Sequence, residues 1–328
     1  MSIDAIDAPS ECENSEKDSP EEGTSPMLAL LSRLSPRVVR SSSAASQYAR
    51  GCSTTPLEYA SSCFIPTTWL PLPLLARKSV NHDTSVLEFG LPEGQSLDLP
   101  ACACILLRAP GRGAGGEDAV RPYTPISDNA TTGKFSLLIK RYADGAASQW
   151  LQGLDIGETV DFKHIKFNLK AQYPFDGTDT VTFVCAGTGI TPMYQALGKL
   201  LNTPGDSRKA VLLYGNKSVD DILLKDELDA MAAAHPERLK VVHVIGTSHD
   251  SPAPPGWSDT PTYVAETGWV DEAKIRKYAF APRADTLLFV CGLPGMYDAL
   301  CGPRTEPELA DGSVLQRLGY TKEMVAKM

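Results

Sequence analysis

DTVTFVCAGTGITPM, residues 179–193, passes from an apolar, β-branched run into two glycines and then into a helix-like segment. The run reads as a buried strand. Gly187 and Gly189 permit a tight turn, Thr191 is placed to cap a helix, and Pro192 suits that helix's first position. Unpaired amides at such a helix start can receive a phosphate or orient a bound nucleotide. The spacing is GxGxxP rather than the GxGxxG of a dinucleotide fingerprint, so an ordinary strand–turn–helix junction is the alternative.

Downstream, strand and helix patterns alternate. AVLLYG (210–215) precedes DILLKDELDAMAAA (221–234), LKVVHVIG (239–246) follows, and DEAKIRKYA (271–279) leads into DTLLFVCG (285–292). This order predicts a parallel α/β domain over 173–328, entered through a turn at 172–178. CGLPGM at 291–296 repeats the strand-end logic. Pro294 suits a first helical turn, and Cys291 falls at the carboxyl edge where such sheets bind ligands, or is simply a buried thiol.

Upstream the period shortens. SVLEFGL (85–91), CACILLRA (102–109), FSLLIKRY (135–142) and TVDFKHI (159–165) read as strands between Gly-, Pro- and Asp-rich turns, with one short helix near 148–154. The prediction for 68–172 is an antiparallel β-barrel or sandwich. Within it, RPYTPIS (121–127) combines a cation, an aromatic ring and hydroxyls. Arg121 could pair with phosphate, Tyr123 could stack on a flat cofactor, and Thr124 or Ser127 could bond its edge; a proline-constrained loop is the bland alternative.

Residues 1–67 differ in kind. The first 26 carry eight acids and one lysine, so most of the chain's net charge of -9 resides there and a nucleic-acid-binding surface is not indicated. From Met27 the composition reverses: MLALLSRLSPRVVRSSSAASQYARGCSTTP has four arginines, many serines and no acid until Glu58. That fits a mitochondrial transit peptide beginning at Met27, with a Ser/Arg linker and a cytoplasmic or membrane-surface location as the alternative. FIPTTWLPLPLLA (64–76) is apolar but holds three prolines, which argues for an extended lead-in able to touch a membrane surface, not a spanning helix. Eight cysteines without a secretory signal point to reduced thiols, and Cys102-x-Cys104, on one face if its segment is a strand, lacks the further paired ligands of a metal site.

Taken together, RPYTPIS (121–127), GTGITPM (187–193), NHDT (81–84), SQWL (148–151), DILLKDEL (221–228), ETGWV (266–270) and CGLPGM (291–296) occur in the order of the NADH–cytochrome b5 reductase family, which the chain resembles over 68–328. The resemblance implies an FAD-binding barrel and an NADH-binding α/β domain. It implies hydride transfer from NADH to FAD and single-electron delivery to cytochrome b5 or a similar haem protein, in a monomer without metal. It assigns Arg121 and Pro122 to the FAD pyrophosphate side, Tyr123 to the ring or ribityl chain, and Thr124 to the flavin edge. Ile139, Lys140 and Tyr142 would line the FAD site, with Gly145, Ala147 and Ser148 at its phosphate turn. Gly187, Thr188, Gly189, Thr191 and Pro192 would shape the nicotinamide approach, with Cys291, Gly292 and Met296 beside it. A related flavin reductase serving a quinone, ferric chelate or other redox protein is the runner-up, and a nucleotide-responsive interaction module a distant third.

Departures from the family pattern fall at the site. Ala147 replaces a common methionine, CGLPGM replaces a CGPPPM-like element, LPACAC (99–104) replaces a glycine-glutamine-histidine stretch, and VAKM at the end lacks a terminal aromatic. The resemblance implies proton handling by His82 of NHDT, with a satisfied structural histidine as the alternative. Asp250 would favour NADH over NADPH by opposing the extra phosphate, while Asp220 and Asp221 read as helix-start residues. Lys134, Lys163 and Lys166 are candidates for docking an acidic acceptor.

Overall fold

The computed structural model describes residues 63–165, 170–246 and 263–328. The acidic tail, the transit-peptide-like stretch, Lys166 and Asp250 lie outside the described residues. Among the described residues no helix is long and apolar enough to cross a membrane.

The first half forms β1 (Leu70–Ser79), β2 (Thr84–Gly90), β3 (Ile105–Ala109), β4 (Ala119–Tyr123), β5 (Lys134–Lys140), the short helix α1 (Ala146–Gln152) and β6 (Thr159–His164). They make one antiparallel sheet in the order β4-β3-β6-β1-β2-β5. Just past the edge strand β4, the Ile126 amide donates to the Ser136 carbonyl of the opposite edge strand at 2.9 Å, curling the sheet toward a barrel. Phe89, Phe135 and Phe162 meet inside it with centroids 4.8–5.6 Å apart and are fully buried.

The proline-rich segment is a strand after all. Leu70–Pro73 pair with β6 and Leu74–Ser79 with β2. The Leu74 amide points toward the β6 side, donating to Glu158 at 2.8 Å, so by alternation Pro71 and Pro73 direct their donor-less nitrogens the other way, where pairing with β2 has not begun. The chain is tied down earlier still: Ile65 is fully buried, and the His164 amide donates to Pro66 at 3.0 Å.

The second half comprises β7 (Thr180–Ala186), α2 (Ile190–Asn202), β8 (Lys209–Asn216), α3 (Lys225–Ala234), β9 (Leu239–Ile245), β10 (Tyr263–Thr267), α4 (Glu272–Tyr278), β11 (Thr286–Cys291), α5 (Pro294–Leu300), α6 (Val314–Arg317) and β12 (Val325–Lys327). The parallel sheet runs β10-β9-β8-β7-β11-β12. The chain therefore builds outward from β7 to β10 and then returns to the other side of β7. That reversal puts a topological switch point between β7 and β11, where Cys185 pairs in register with Cys291.

Two local expectations change. Helix α2 begins at Ile190, so Thr191 lies in its first turn and donates to the Thr188 carbonyl at 3.2 Å instead of capping. Strand β3 begins at Ile105; Cys102 has φ +68, in the left-handed region, so Cys102 and Cys104 do not share a strand face.

Candidate active site

The switch point is closely packed. A Cβ placed on Gly189 would lie 2.3 Å from the Cys291 carbonyl oxygen and 2.7 Å from its carbon, so only glycine lets the turn after β7 lie against the end of β11. Gly187 has φ +53, and its carbonyl accepts a hydrogen bond from Tyr214 at 3.1 Å. The same buried hydroxyl, on β8, accepts from the Leu223 amide at 3.2 Å. Burial pushes the Tyr214 hydroxyl well above the ordinary tyrosine range, keeping it neutral as both donor and acceptor.

Cys291 is half-buried at this edge, and burial pushes its thiol up to about 11, so it is a neutral contact surface and not a thiolate nucleophile. Gly292 follows it, with Met296 packed so close that a Cβ there would meet the sulfur at 2.6 Å.

The barrel presents its own edge to this turn. Arg121 and Pro122 lie on β4, an edge strand that tolerates the missing amide of Pro122. The Arg121 guanidinium is half-buried, and its one hydrogen bond among the described residues runs from Nη1 to the Val120 carbonyl at 2.8 Å, leaving the rest of its donor fork open to an anion. Tyr123 beside it is half-exposed; burial of its ring pushes its hydroxyl up to about 12 against the opposing pull of Arg121. Thr124 is half-buried with Pro125 buried behind it. Tyr142 sits near Tyr123, and its hydroxyl lies 3.2 Å from the Thr188 hydroxyl, so the tyrosine edge of the barrel and the glycine turn of the α/β domain meet directly.

Other expected residues take quieter positions. Ile139 is fully buried in the barrel core, so its side chain lines no ligand surface. Ala147 is buried with Ala109 and Ala119 under Trp150. Ser148 uses its hydroxyl locally, accepting from the Tyr142 amide at 3.2 Å and donating to the Gly145 carbonyl at 2.9 Å. It shapes the turn at Gly145, where a Cβ would strike Ser148 Oγ at 2.4 Å.

Lys140 differs most from its expected place. Its ammonium lies 3.1 Å from Asp83, on the turn after β1, and 3.1 Å from Asp221, in the segment before α3. Asp221 is thus a cross-sheet partner, held also by Ser218 at 2.8 Å, and not merely a helix-start residue. Burial alone would raise its carboxyl, but the Ser218 hydroxyl and the Lys140 ammonium outweigh it and hold the carboxyl below its usual range. His82, 64% exposed, sits on the rim of this cluster, with Nε2 3.4 Å from Asp83 and 3.9 Å from Asp221. His82, Asp83 and Asp221 come close enough to resemble a metal-ligand set, but the Lys140 ammonium already supplies the cation their carboxylates need.

Lys134 is paired with Glu88 at 2.9 Å, whereas the Lys163 ammonium lies 5.7 Å from the centre of the neutral Trp69 ring and keeps its charge. Residues the sequence did not single out, Gln195, Tyr214 and Asp83, join the loops around the site. Gln195 had one signal: a polar side chain in the first turns of the helix that follows the glycine turn.

Two family descriptions match the chain: an oxidoreductase FAD-binding domain over 71–169 and an oxidoreductase NAD-binding domain over 183–302. The NADH-cytochrome b5 reductase-like protein of Arabidopsis thaliana is 36% identical over 80% of this chain and 77% of its own. NADH-cytochrome b5 reductase 2 of Kluyveromyces lactis is 33% identical over 79% of this chain and 83% of its own. The crystal structure of the cytochrome b5 reductase domain of Ulva prolifera nitrate reductase superposes with a TM-score of 0.63 at 29% identity, covering 79% of this chain and 97% of that one.

Proposed function

The chain belongs to the NADH-cytochrome b5 reductase family, and from that premise we infer that it is an FAD-dependent oxidoreductase that oxidises NADH and passes electrons singly to cytochrome b5. The observation that carries the reading is the meeting of Tyr142 with Thr188, which sets the barrel edge at Arg121–Thr124 beside the glycine turn at the switch point. FAD fits the residues present: an arginine with open donors suits a diphosphate, and two half-exposed tyrosines suit a flat ring. When bound, FAD supplies the conversion between the two-electron hydride of NADH and the one-electron step of a haem iron.

The protein's part is placement. Arg121 would hold the pyrophosphate, Tyr123 would meet the ring or ribityl chain with Tyr142 lining the same site, and Thr124 would bond the ring edge. Gly187 and Thr188 would give the nicotinamide a close backbone floor, held in place because Gly189 lets the turn lie against the end of β11. The neutral thiol of Cys291 closes the far side with a small polarizable surface. Excluding water there favours hydride transfer over side reactions.

The test is to purify the chain, measure bound flavin, and mix it anaerobically with NADH or NADPH before adding ferric cytochrome b5, a quinone or ferricyanide. Rapid bleaching of flavin by NADH with preferential reduction of cytochrome b5 supports the reading. Preference for another acceptor moves the chain to a different reductase activity, and a folded chain that neither contains nor acquires flavin removes it from the class. We keep mitochondrial delivery as a proposal resting on residues 27–57. Diffuse cytosolic fluorescence of reporters fused to 1–80 and to 27–80 would reject it.

A further inference from the structure

Among the described residues, several contacts join the two halves at this site, and two of them come from one side chain that uses both ends of its amide. Gln195 lies in α2, one turn beyond Pro192. Its Oε1 accepts from the Cys102 amide at 2.8 Å, and its Nε2 donates to the Pro125 carbonyl at 2.6 Å. Cys102 belongs to the turn leading into β3; Pro125 directly follows Thr124, at the flavin edge in the functional reading. Cys102 adds a second tie by donating its thiol to the Pro192 carbonyl at 3.4 Å.

This geometry makes Gln195 a gauge. An amide has one acceptor end and one donor end, and here each faces the one kind of backbone group it can bond; a reversed amide would oppose like to like on both sides. Helix α2 carries the glycine turn at its start, while Pro125 carries the barrel's ligand-facing edge. One side chain, fixed at both ends of its amide, thus sets the separation and angle between the surfaces assigned to the nicotinamide and to the flavin. The remaining ties, Tyr142 to Thr188, Lys140 to Asp221 and the Asn81 side-chain amide to the Asp220 carbonyl at 2.9 Å, hold neither Thr124 nor Pro125 directly.

We propose that Gln195 is a positioning residue for hydride transfer, holding the Thr124–Pro125 edge of the flavin site at reacting distance from the nicotinamide turn. The inference rests on the flavin reductase reading. In the step it governs, the C4–H bond of NADH breaks with both electrons, the hydride forms an N–H bond on the flavin, and NAD+ is left. Reactions of this kind lose about a hundredfold in rate for an ångström of misplacement.

Two variants test it. Gln195→Glu keeps the acceptor for Cys102 but turns a carboxylate oxygen onto the Pro125 carbonyl; Gln195→Met removes both bonds at similar length. Flavin content of the wild-type chain is measured first, since its absence would sink the functional reading and this proposal with it. With flavin present, both variants should retain flavin and bind NAD+ within about twofold of wild type. Anaerobic single-turnover reduction by NADH should slow roughly 10- to 100-fold, with a larger kinetic isotope effect from NADH deuterated at C4. Hydrogen exchange at the Cys102 amide, followed in the flavin-free chain, should quicken in the methionine variant and less in the glutamate variant. Wild-type reduction rates and isotope effect in both variants would overturn the proposal. So would parallel loss of flavin and NAD+ affinity, which would make Gln195 a structural residue only.

Discussion

Replacing Lys140 with methionine removes the cation from between two carboxylates while keeping much of the side chain's length and packing. Lys140 is 11% exposed, Asp221 8% and Asp83 20%, so water screens little of the arrangement. At 3.1 Å and an effective dielectric of about 20, each contact is worth roughly 5 kcal/mol before desolvation is subtracted. Desolvation of three charged groups offsets most of that sum; removing the lysine recovers only its own share and leaves two desolvated acids facing one another without their cation. A net loss of about 3 kcal/mol follows, at the low end for breaking a buried ion pair because Asp83 keeps some contact with water.

Urea denaturation of the flavin-loaded protein, followed by circular dichroism, measures the loss. A double-mutant cycle with Asp221→Asn isolates the pair, and its coupling should be about 2 kcal/mol and change little in 0.5 M salt. The pH dependence is fixed in sign. Asp221 is held below its usual range, so its contribution is present above the unfolded carboxylate value and is lost as pH falls through the lower, folded one. For Lys140, burial works downward but the Asp83 and Asp221 hydrogen bonds outweigh it; the raised value makes its contribution complete below the ordinary lysine range and lost only at still higher pH. Between about pH 5 and 10 the coupling should therefore be flat. A coupling under about 0.5 kcal/mol in that window would show that the lysine is solvated and that the reasoning is wrong.

Gly189→Ala forces a methyl group against the Cys291 carbonyl, where contact would be 2.3 Å; it should destabilise the protein by about 3 kcal/mol and abolish NAD+ binding, as read by urea midpoint and calorimetric titration. Tyr214→Phe strips partners from the Gly187 carbonyl and the Leu223 amide and should cost about 2 kcal/mol, with weaker NAD+ binding; unchanged affinity would show that the turn holds itself. Arg121→Ala removes the one cation assigned to the diphosphate and should raise the FAD dissociation constant about 10- to 100-fold without altering the urea midpoint of the flavin-free chain. His82→Ala, at a 64% exposed position, should shift stability by less than about 0.5 kcal/mol, so any change in the pH profile of turnover would belong to chemistry rather than folding.

Most of the parallel half was legible because β7, β8, β9 and β11 are largely buried on both faces and read as unbroken apolar runs, whereas the edge strand β10, with Ala265, Glu266 and Thr267 only half-buried, went unread. The antiparallel half was less so. Strand β1 was hidden by prolines, whose usual exclusion from sheets does not apply where the strand changes partners midway. Strand β12, three residues long, has too few side chains to show a period. The clearest site motifs were those in which backbone conformation forces residue type: Gly187 needs φ +53 and Gly189 needs an absent Cβ. Lys140 and Asp221 were each visible, but their 81-residue separation hid the bond between them.

Cys102 shows how the interface escapes a one-dimensional reading. A cysteine in a run such as CACILLRA favours a strand, and periodicity then puts it on the same face as Cys104. Instead its φ of +68 turns the chain, at some cost in backbone strain, so that its amide meets Gln195 and its thiol meets the Pro192 carbonyl. Those ligands lie 90 and 93 residues away, on an element whose own pattern is complete without them. What the site requires of this turn is one amide and one thiol aimed at another domain, a demand that leaves no period in the local sequence. The ties between the two halves are therefore single side chains at loops, helix starts and one strand end, and a fold class read correctly from strand patterns still leaves each of them to be found in three dimensions.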